Sequence, residues 1–234
     1  MSHNGATPVV ELERVVKSYQ QGKQLVDALQ GITMNVKAGE FTAISGPSGS
    51  GKTTALNLIG ALDTPTSGTV RIDGTDLGTL NRKELSRLRR DRIGFVFQAY
   101  NLLPVLSAYE NAEIVMAVQG VDEDRRRSRV MDLLAQVGLE GMEDRRPSEL
   151  SGGQQQRVAI ARAIAANPAV VLADEPTANV DSHTADTLLD MMETLNQDQR
   201  VTFLFSTHDP RVMERARRVI RLVDGRVETD TVRD

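Results

Sequence analysis

The 234-residue chain contains no cysteine, which excludes disulfide staples and thiol chemistry and leaves its compartment unreadable from redox logic. An excess of positive charge is also lacking. The formal net charge of −4 argues against a general nucleic-acid binder, which draws on a basic face. The run Arg125–Arg126–Arg127 follows directly on Asp122, Glu123 and Asp124, so it reads as a solvated helix face. No apolar run approaches the roughly 18 residues needed to cross a bilayer. The opening "MSHNGATPVVELE" has neither a basic n-region nor an apolar core, so no secretory signal is expected. Tandem repeats, low-complexity tracts and long linkers are absent too. With 40% hydrophobic and 26% charged residues, a soluble, cytoplasmic chain is expected, forming one large domain or a domain with an insert.

The early segments read as short strands between turns: "VVELERVVKSY", the alternating "GITMNVKAG", and "SGTVRIDG". "FTAIS", residues 41–45, is a buried-type strand. It runs into "GPSGSGKTT" and then a helix carrying Ala55, Leu56, Leu58 and Ile59 at helical spacing. "IGFVFQ", residues 93–98, is another apolar strand. From about residue 99 to 165 the pattern is helical, with Val130, Met131, Leu133, Leu134 and Val137 as one stripe and Gly138 as its stop. Strands return at "AVVLAD" (169–174) and "RVTFLFST" (200–207), with a helix marked by Ala185, Leu188, Leu189, Met192 and Leu195 between them. This alternation predicts an α/β fold: a mostly parallel sheet covered by helices, with residues 99–165 inserted into a core of 1–98 and 166–234.

"GPSGSGKT" fits G-x-x-x-x-G-K-[ST] at every fixed position, with a strand before it and a helix after it. Gly46, Gly49 and Gly51 allow the backbone to wrap phosphate oxygens, with Pro47, Ser48 and Ser50 between them. Lys52 supplies a point charge to β- and γ-phosphates, and the Thr53 hydroxyl can ligate Mg²⁺. A chance match in a chain of this length is below about one per cent. "VVLADEP" buries four apolar residues and releases Asp174 at a strand end, where ligand sites of α/β sheets lie. Asp174 suits Mg²⁺, and Glu175 suits the orientation or deprotonation of a water. Standing alone, such an Asp–Glu pair would be a solvated turn.

"ELSGGQQQRVAIARA", residues 149–163, places two glycines behind a serine at the start of a helix, a second anion cradle in a chain that already has one. With "LSGGQ" the landmarks resemble the ATP-binding-cassette (ABC) ATPase family over almost the whole chain. Their order fits as well: phosphate loop, Gln98, signature, Asp174–Glu175, Asp181, His208. The resemblance implies a phosphate-loop (RecA-like) core with an N-terminal antiparallel β-subdomain and an inserted α-helical subdomain. It further implies ATP and Mg²⁺ as ligands, with Thr53, Gln98 and Asp174 on the metal. Glu175, His208 and Gln98 are then the catalytic group, and Tyr19 stacks on adenine while Gly46 through Thr54 hold the phosphates. Read alone, Gln98 and His208 would be exposed or structural side chains. Core packing alone explains Tyr19 poorly in a chain only 3% aromatic. Ser151, Gly152, Gly153 and Gln154 would cap ATP held by a partner chain in a head-to-tail homodimer. Asp181 would communicate across it, although "EPTANVD" carries Val180 where the family commonly has leucine.

"GALDTPTSGTV", "FVFQAYNLLPVLSAYENAEI" and "ADEPTANVDSHTAD" further resemble the lipoprotein-releasing, macrolide-exporting and cell-division group. That resemblance implies an integral membrane permease as partner, docked near residues 98–110, and a place on the cytoplasmic face of the membrane. The alternative is a regulatory ATPase acting on an extracytoplasmic enzyme through a membrane partner. A chromosome-type cassette would need a long coiled coil, yet only 97 residues separate Thr53 from Ser151. A translation-factor type would carry two cassettes where one is found. No appended regulatory domain is expected after "LVDGRVETD".

Overall fold

Two sheets share the chain between them. The computed structural model describes residues 8–22 and 24–233. The first sheet is antiparallel, in the order β2-β1-β4-β5, and is built from β1 (Pro8–Gln21), β2 (Gln24–Lys37), β4 (Ser67–Ile72) and β5 (Thr75–Asp76). The second contains β3 (Phe41–Ser45), β6 (Ile93–Val96), β7 (Val170–Asp174), β8 (Phe203–Ser206), β9 (Arg218–Val223) and β10 (Arg226–Val232). Its order is β10-β9-β3-β8-β7-β6, parallel throughout except for the β9–β10 hairpin at one edge.

The parallel strands are short, and both faces are covered, which is why they read as continuous apolar runs. Side chains alternate between two cores. Phe41, Ala43, Val171, Ala173, Phe203 and Phe205 point to the helical side. Ile44, Val170, Leu172 and Leu204 point to the other side, where the antiparallel sheet and α1 (Lys52–Ile59) lie. The Phe41 ring packs against those of Phe203 and Phe205, with centroids 5.7 and 4.7 Å away.

The helical pattern begins earlier than the sequence reading placed it, at α2 (Arg82–Arg92), which has one buried residue, Leu88. This helix is set by a capping box between Asn81 and Glu84 and by arginines in its last turn, so it carries little apolar periodicity. Three further helices, α3 (Ala108–Val118), α4 (Glu123–Gln136) and α5 (Gly152–Ala165), pack on one another, and α5 also lies against β6. Val130, Leu133, Leu134 and Val137 are buried as expected, while Met131 is only half-buried. Gly138 closes α4 with φ +71°, and Leu139 N–H donates to Leu134 O at 2.8 Å.

Three expectations change. The Arg125–Arg127 run is not uniformly solvated, because Arg126 pairs with Glu113 at 2.8 Å and donates to Val121 O at 2.6 Å. The N-terminal strands are long, 14 residues each, with a bulge near Arg14 (φ +48°) that interrupts the alternation. Arg200 is not strand but the left-handed C-cap of α6 (Ser182–Gln199), which buries Ala185, Leu188, Leu189, Met192 and Leu195 as expected. The remaining helix is α7 (Pro210–Arg215). No helix among the described residues is long and apolar enough to cross a membrane.

Candidate functional site

The strand order β3-β8-β7 decides what meets what. Asp174 on β7 pairs with Ser206 on β8, which pairs in turn with Ile44 on β3, so all three strands end at one level. Gly46, Glu175 and Thr207 therefore leave the sheet side by side, at the C-terminal strand ends where ligands of parallel sheets bind. The loop after β3 requires glycine at two close approaches. At Gly46 (φ +145°) a Cβ would lie 2.1 Å from Leu222 O, and at Gly51 (φ +101°) 2.5 Å from Ala28 O. With those turns made, α1 points its N-terminus into the loop. Lys52 Nζ arches back to Gly46 O and Pro47 O at 2.8 and 3.0 Å, so its ammonium stands over the cradle.

Glu175 has φ +45°, a left-handed conformation that re-aims its side chain at the rim. Its two carboxylate oxygens have separate holders. Thr207 Oγ1 donates to Oε2 at 3.0 Å, and His208 Nδ1 lies 2.6 Å from Oε1. A carboxylate on Nδ1 assigns that nitrogen the proton, and Nε2 is the ring atom left for a ligand. Asp174 sits behind, half-buried, and its Oδ1 is buried without a hydrogen-bond partner. Burial pushes its carboxyl above the usual range.

A cleft of about 630 Å³ is lined by Pro47, Ser48, Gly49, Gly51, Lys52, Thr53 and Thr54 of the loop, by Gln98, Glu175 and His208, and by Ala28 of β2. The structure thus brings together residues that are far apart in the chain. Gly46 and Ser50 belong to the loop but do not line the cleft, and Ser50 is buried. Gln98 stands two residues past β6 rather than in it, exposed, with Nε2 3.4 Å from Asn179 Oδ1 while Asn179 Nδ2 donates to Gln98 O at 2.9 Å. Tyr19, on β1, does not line the cleft. Its hydroxyl donates to Asp63 Oδ2 at 2.8 Å, and burial followed by that carboxylate raises its pKa.

The signature residues also lie outside the cleft lining. Ser151 is the exposed N-cap of α5. Its Oγ accepts from Gln154 N at 3.3 Å, and Ser151 N–H donates to Gln154 Oε1 at 2.9 Å. Behind this cap the glycines are packed within their own chain, Gly152 against Tyr100 Oη and Gly153 against Thr184 Cγ2. Asp181 N-caps α6. Its Oδ2 accepts from Thr184 Oγ1 at 2.6 Å and its Oδ1 from Thr184 N at 3.0 Å, bonds that hold its carboxyl below the usual range.

Sequence reasoning missed Thr207, which steadies Glu175, and Asn179, which fastens Gln98. Thr207 was legible only as the residue before His208, because its partner is 32 positions away.

Comparison with known proteins places this geometry. The family model described as ABC transporter matches residues 29–178. The lipoprotein-releasing system ATP-binding protein LolD of Anaeromyxobacter dehalogenans is 49% identical over 98% of this chain and 97% of its own. MJ0796, an ABC transporter ATP-binding protein of Methanocaldococcus jannaschii, has been solved as a dimer in a post-hydrolysis state bound to ADP and Pi. It superposes with a TM-score of 0.86 at 44% identity, covering 95% of this chain and 98% of that one. The macrolide export ATP-binding/permease protein MacB of Brucella melitensis is 45% identical over 97% of this chain, which spans only 35% of that protein.

Proposed function

The chain belongs to the ABC transporter family as an ATP-binding, ATP-hydrolysing subunit, and we propose on that premise that two copies close head-to-tail around two ATP molecules to drive a membrane permease. One observation carries the reading: Ser151 is the exposed cap of a helix N-terminus, and none of Ser151–Gln154 is among the residues that line the chain's own cleft. Each cradle is half of a site. Ser151, Gly152, Gly153 and Gln154 then cap ATP held by the partner copy, and Asp181 beside them links the two sites. Residues 99–165 act as the helical lobe that carries this cap, and 1–98 with 166–234 as the core that carries the nucleotide.

Hydrolysis requires positioning and charge neutralisation more than covalent chemistry. Lys52 and the backbone N–H groups of the loop Gly46–Thr54, except Pro47, which has none, hold the β- and γ-phosphates, and Tyr19 stacks on the base. Glu175, steadied by Thr207 and His208, orients and deprotonates the attacking water. His208 Nε2 faces the γ-phosphate. The donor set fits Mg²⁺: Asp174 offers a buried, unpartnered carboxylate oxygen, Thr53 a hydroxyl and Gln98 an amide oxygen. Bound there, the ion neutralises charge on the phosphate oxygens.

The permease docks in a second cleft of about 410 Å³, which takes in the expected 98–110 segment only at Asn101 and lies mainly between residues 89–97, 114–118 and 162–166. Its lining includes Phe95, Phe97 and Ile114 with the exposed Leu62 and Val118, and Arg89, Arg90 and Arg162 stand around it; Arg90 is paired with Asp91 at 2.6 Å, while Arg89 and Arg162 donate to backbone carbonyls. Apolar surface ringed by cations suits an amphipathic segment bearing acidic side chains. The driven work is export, lipoprotein release or transmission of force, in keeping with the relatives' names, and the chain sits on the cytoplasmic face of the membrane through that permease. The test mixes a Ser151→Arg chain with a Lys52→Ala chain and follows dimerisation by sedimentation and turnover by phosphate release. Heterodimers are expected to regain one composite site and ATP-dependent closure, which neither variant shows alone. Heterodimers without ATP-dependent closure would show that the cap does not act across chains.

A further inference from the structure

Tyr19 is held more firmly than an exposed ring on a surface strand requires. The residue is 37% exposed, yet its hydroxyl donates to Asp63 Oδ2 at 2.8 Å. Lys17, two residues back on the same face of β1, donates to Asp63 Oδ1 at 2.7 Å and to Thr64 O at 2.8 Å. The Lys17 ammonium also stands 4.8 Å from the centre of the Tyr19 ring, within cation–π range. Asp63 Oδ1 takes a further bond from Thr64 N–H at 2.7 Å. These side chains are not a loose surface pair, since Lys17 retains 12% and Asp63 30% of their exposure. Although burial pushes the Asp63 carboxyl up, the bonds from Lys17, Thr64 and Tyr19 outweigh it and leave the group below the usual carboxylate range.

The turn that carries Asp63 is itself anchored at both ends. Asp63 N–H donates to Asn57 O at 3.3 Å, at the C-terminal end of α1, and Thr66 N–H donates to Val16 O on β1 at 2.8 Å. Ser18 N–H donates to Thr66 Oγ1 at 3.0 Å. The helix that opens on Lys52 and Thr53 thus ends on the group that grips Tyr19. An eight-residue helix is a rod about 12 Å long, so ring and cradle are held at a set separation.

We propose that Asp63 and Lys17 are positioning residues for nucleotide binding: they clamp the Tyr19 ring in the orientation that receives the base and set its distance from the phosphate loop. The inference rests on the assignment of Tyr19 as the base platform. One face of the ring is covered by the Lys17 ammonium, so the base stacks on the other. Because the ring is immobilised before the ligand arrives, binding loses less side-chain entropy than it would with a free tyrosine.

The test compares ADP, which has a base, with inorganic pyrophosphate, which has none, by calorimetric titration of the whole chain. Tyr19→Phe, Asp63→Ala and Lys17→Met are each expected to weaken ADP roughly fivefold to tenfold while pyrophosphate stays within about twofold. Tyr19→Phe combined with Asp63→Ala is expected to be no worse than Asp63→Ala alone, because both remove the same bond. Tyr19→Phe alters only a partly exposed hydroxyl, so it stays informative if Asp63→Ala destabilises the turn. If Tyr19→Ala weakens ADP while Tyr19→Phe and Asp63→Ala do not, the base platform stands and the clamp is overturned. If Asp63→Ala weakens ADP and pyrophosphate equally, Asp63 is merely structural and the clamp is again overturned. If Tyr19→Ala leaves the ADP-to-pyrophosphate ratio unchanged, the platform itself fails and the clamp with it.

Discussion

Gly153→Ala sets a helix preference against a packing constraint. Gly153 is the second residue of α5, where alanine would normally help by up to about 1 kcal/mol. A Cβ built there lies 2.4 Å from Thr184 Cγ2, well inside the roughly 3.5–4.0 Å at which carbon atoms rest against one another. The methyl can retreat by rotating, but Thr184 Oγ1 is bound to Asp181 Oδ2 at 2.6 Å, and rotation gives up that bond, worth about 1 kcal/mol. Overpacking of this kind costs about 1–3 kcal/mol. The net expectation is a loss of about 1–2 kcal/mol, or roughly 2–8 °C in melting temperature for a chain of this size. Thermal denaturation of the nucleotide-free protein, followed by circular dichroism, measures it. Adding Thr184→Ser removes the offending methyl, keeps the hydroxyl, and is expected to recover most of the loss. A Gly153→Ala protein that melts at or above the wild-type temperature would refute the reasoning, as would a double variant no better than the single. Because the effect arises within one chain, it is separable from any role of Gly153 toward the partner's ATP.

Glu175→Gln preserves the side chain's size and one acceptor oxygen, so only one of the bonds from Thr207 and His208 survives as it is, and it removes the proposed base; turnover is expected to fall about 10²- to 10⁴-fold while ATP still drives dimers, and wild-type turnover would refute the assignment. Asp209 caps α7 and accepts from Thr177 Oγ1 at 2.8 Å, and burial, which opposes the shift, is outweighed by the bonds from Arg211 and Thr177, so its carboxyl titrates low. A lowered native pKa means that its stabilisation is complete above the unfolded-state value and vanishes as pH falls through the native one. Asp209→Asn should therefore cost about 1 kcal/mol at neutral pH and progressively less on acidification; a loss that grew as pH fell would contradict the sign.

Some of this molecule was legible because its signals are local. The phosphate loop is a backbone shape written in consecutive residues, and α4 and α6 carry their buried stripes openly. Helix α2 was not legible, since its Asn81–Glu84 cap specifies it and only Leu88 is buried. The full length of β1 and β2 was hidden by the Arg14 bulge and by the exposed start of β2, both of which break the alternation. Tyr19 is assigned only by its resemblance to a family position, whereas Asp63 and Lys17, which hold it, have no signal of their own.

By itself, the chain determined that a glycine-rich loop between strand and helix, a strand-end Asp174–Glu175 pair and a second helix cap exist, because each is a short segment whose chemistry follows from neighbouring residues. Only the tertiary structure decided which of them meet. Placing β8 between β3 and β7 carries Lys52, Glu175 and His208 into one cleft from distant parts of the chain. The same packing buries the length of α5 and leaves Ser151 exposed at its end, outside that cleft. Convergence of this kind depends on strand order and on which helix faces are buried, and neither is encoded in any one stretch of sequence.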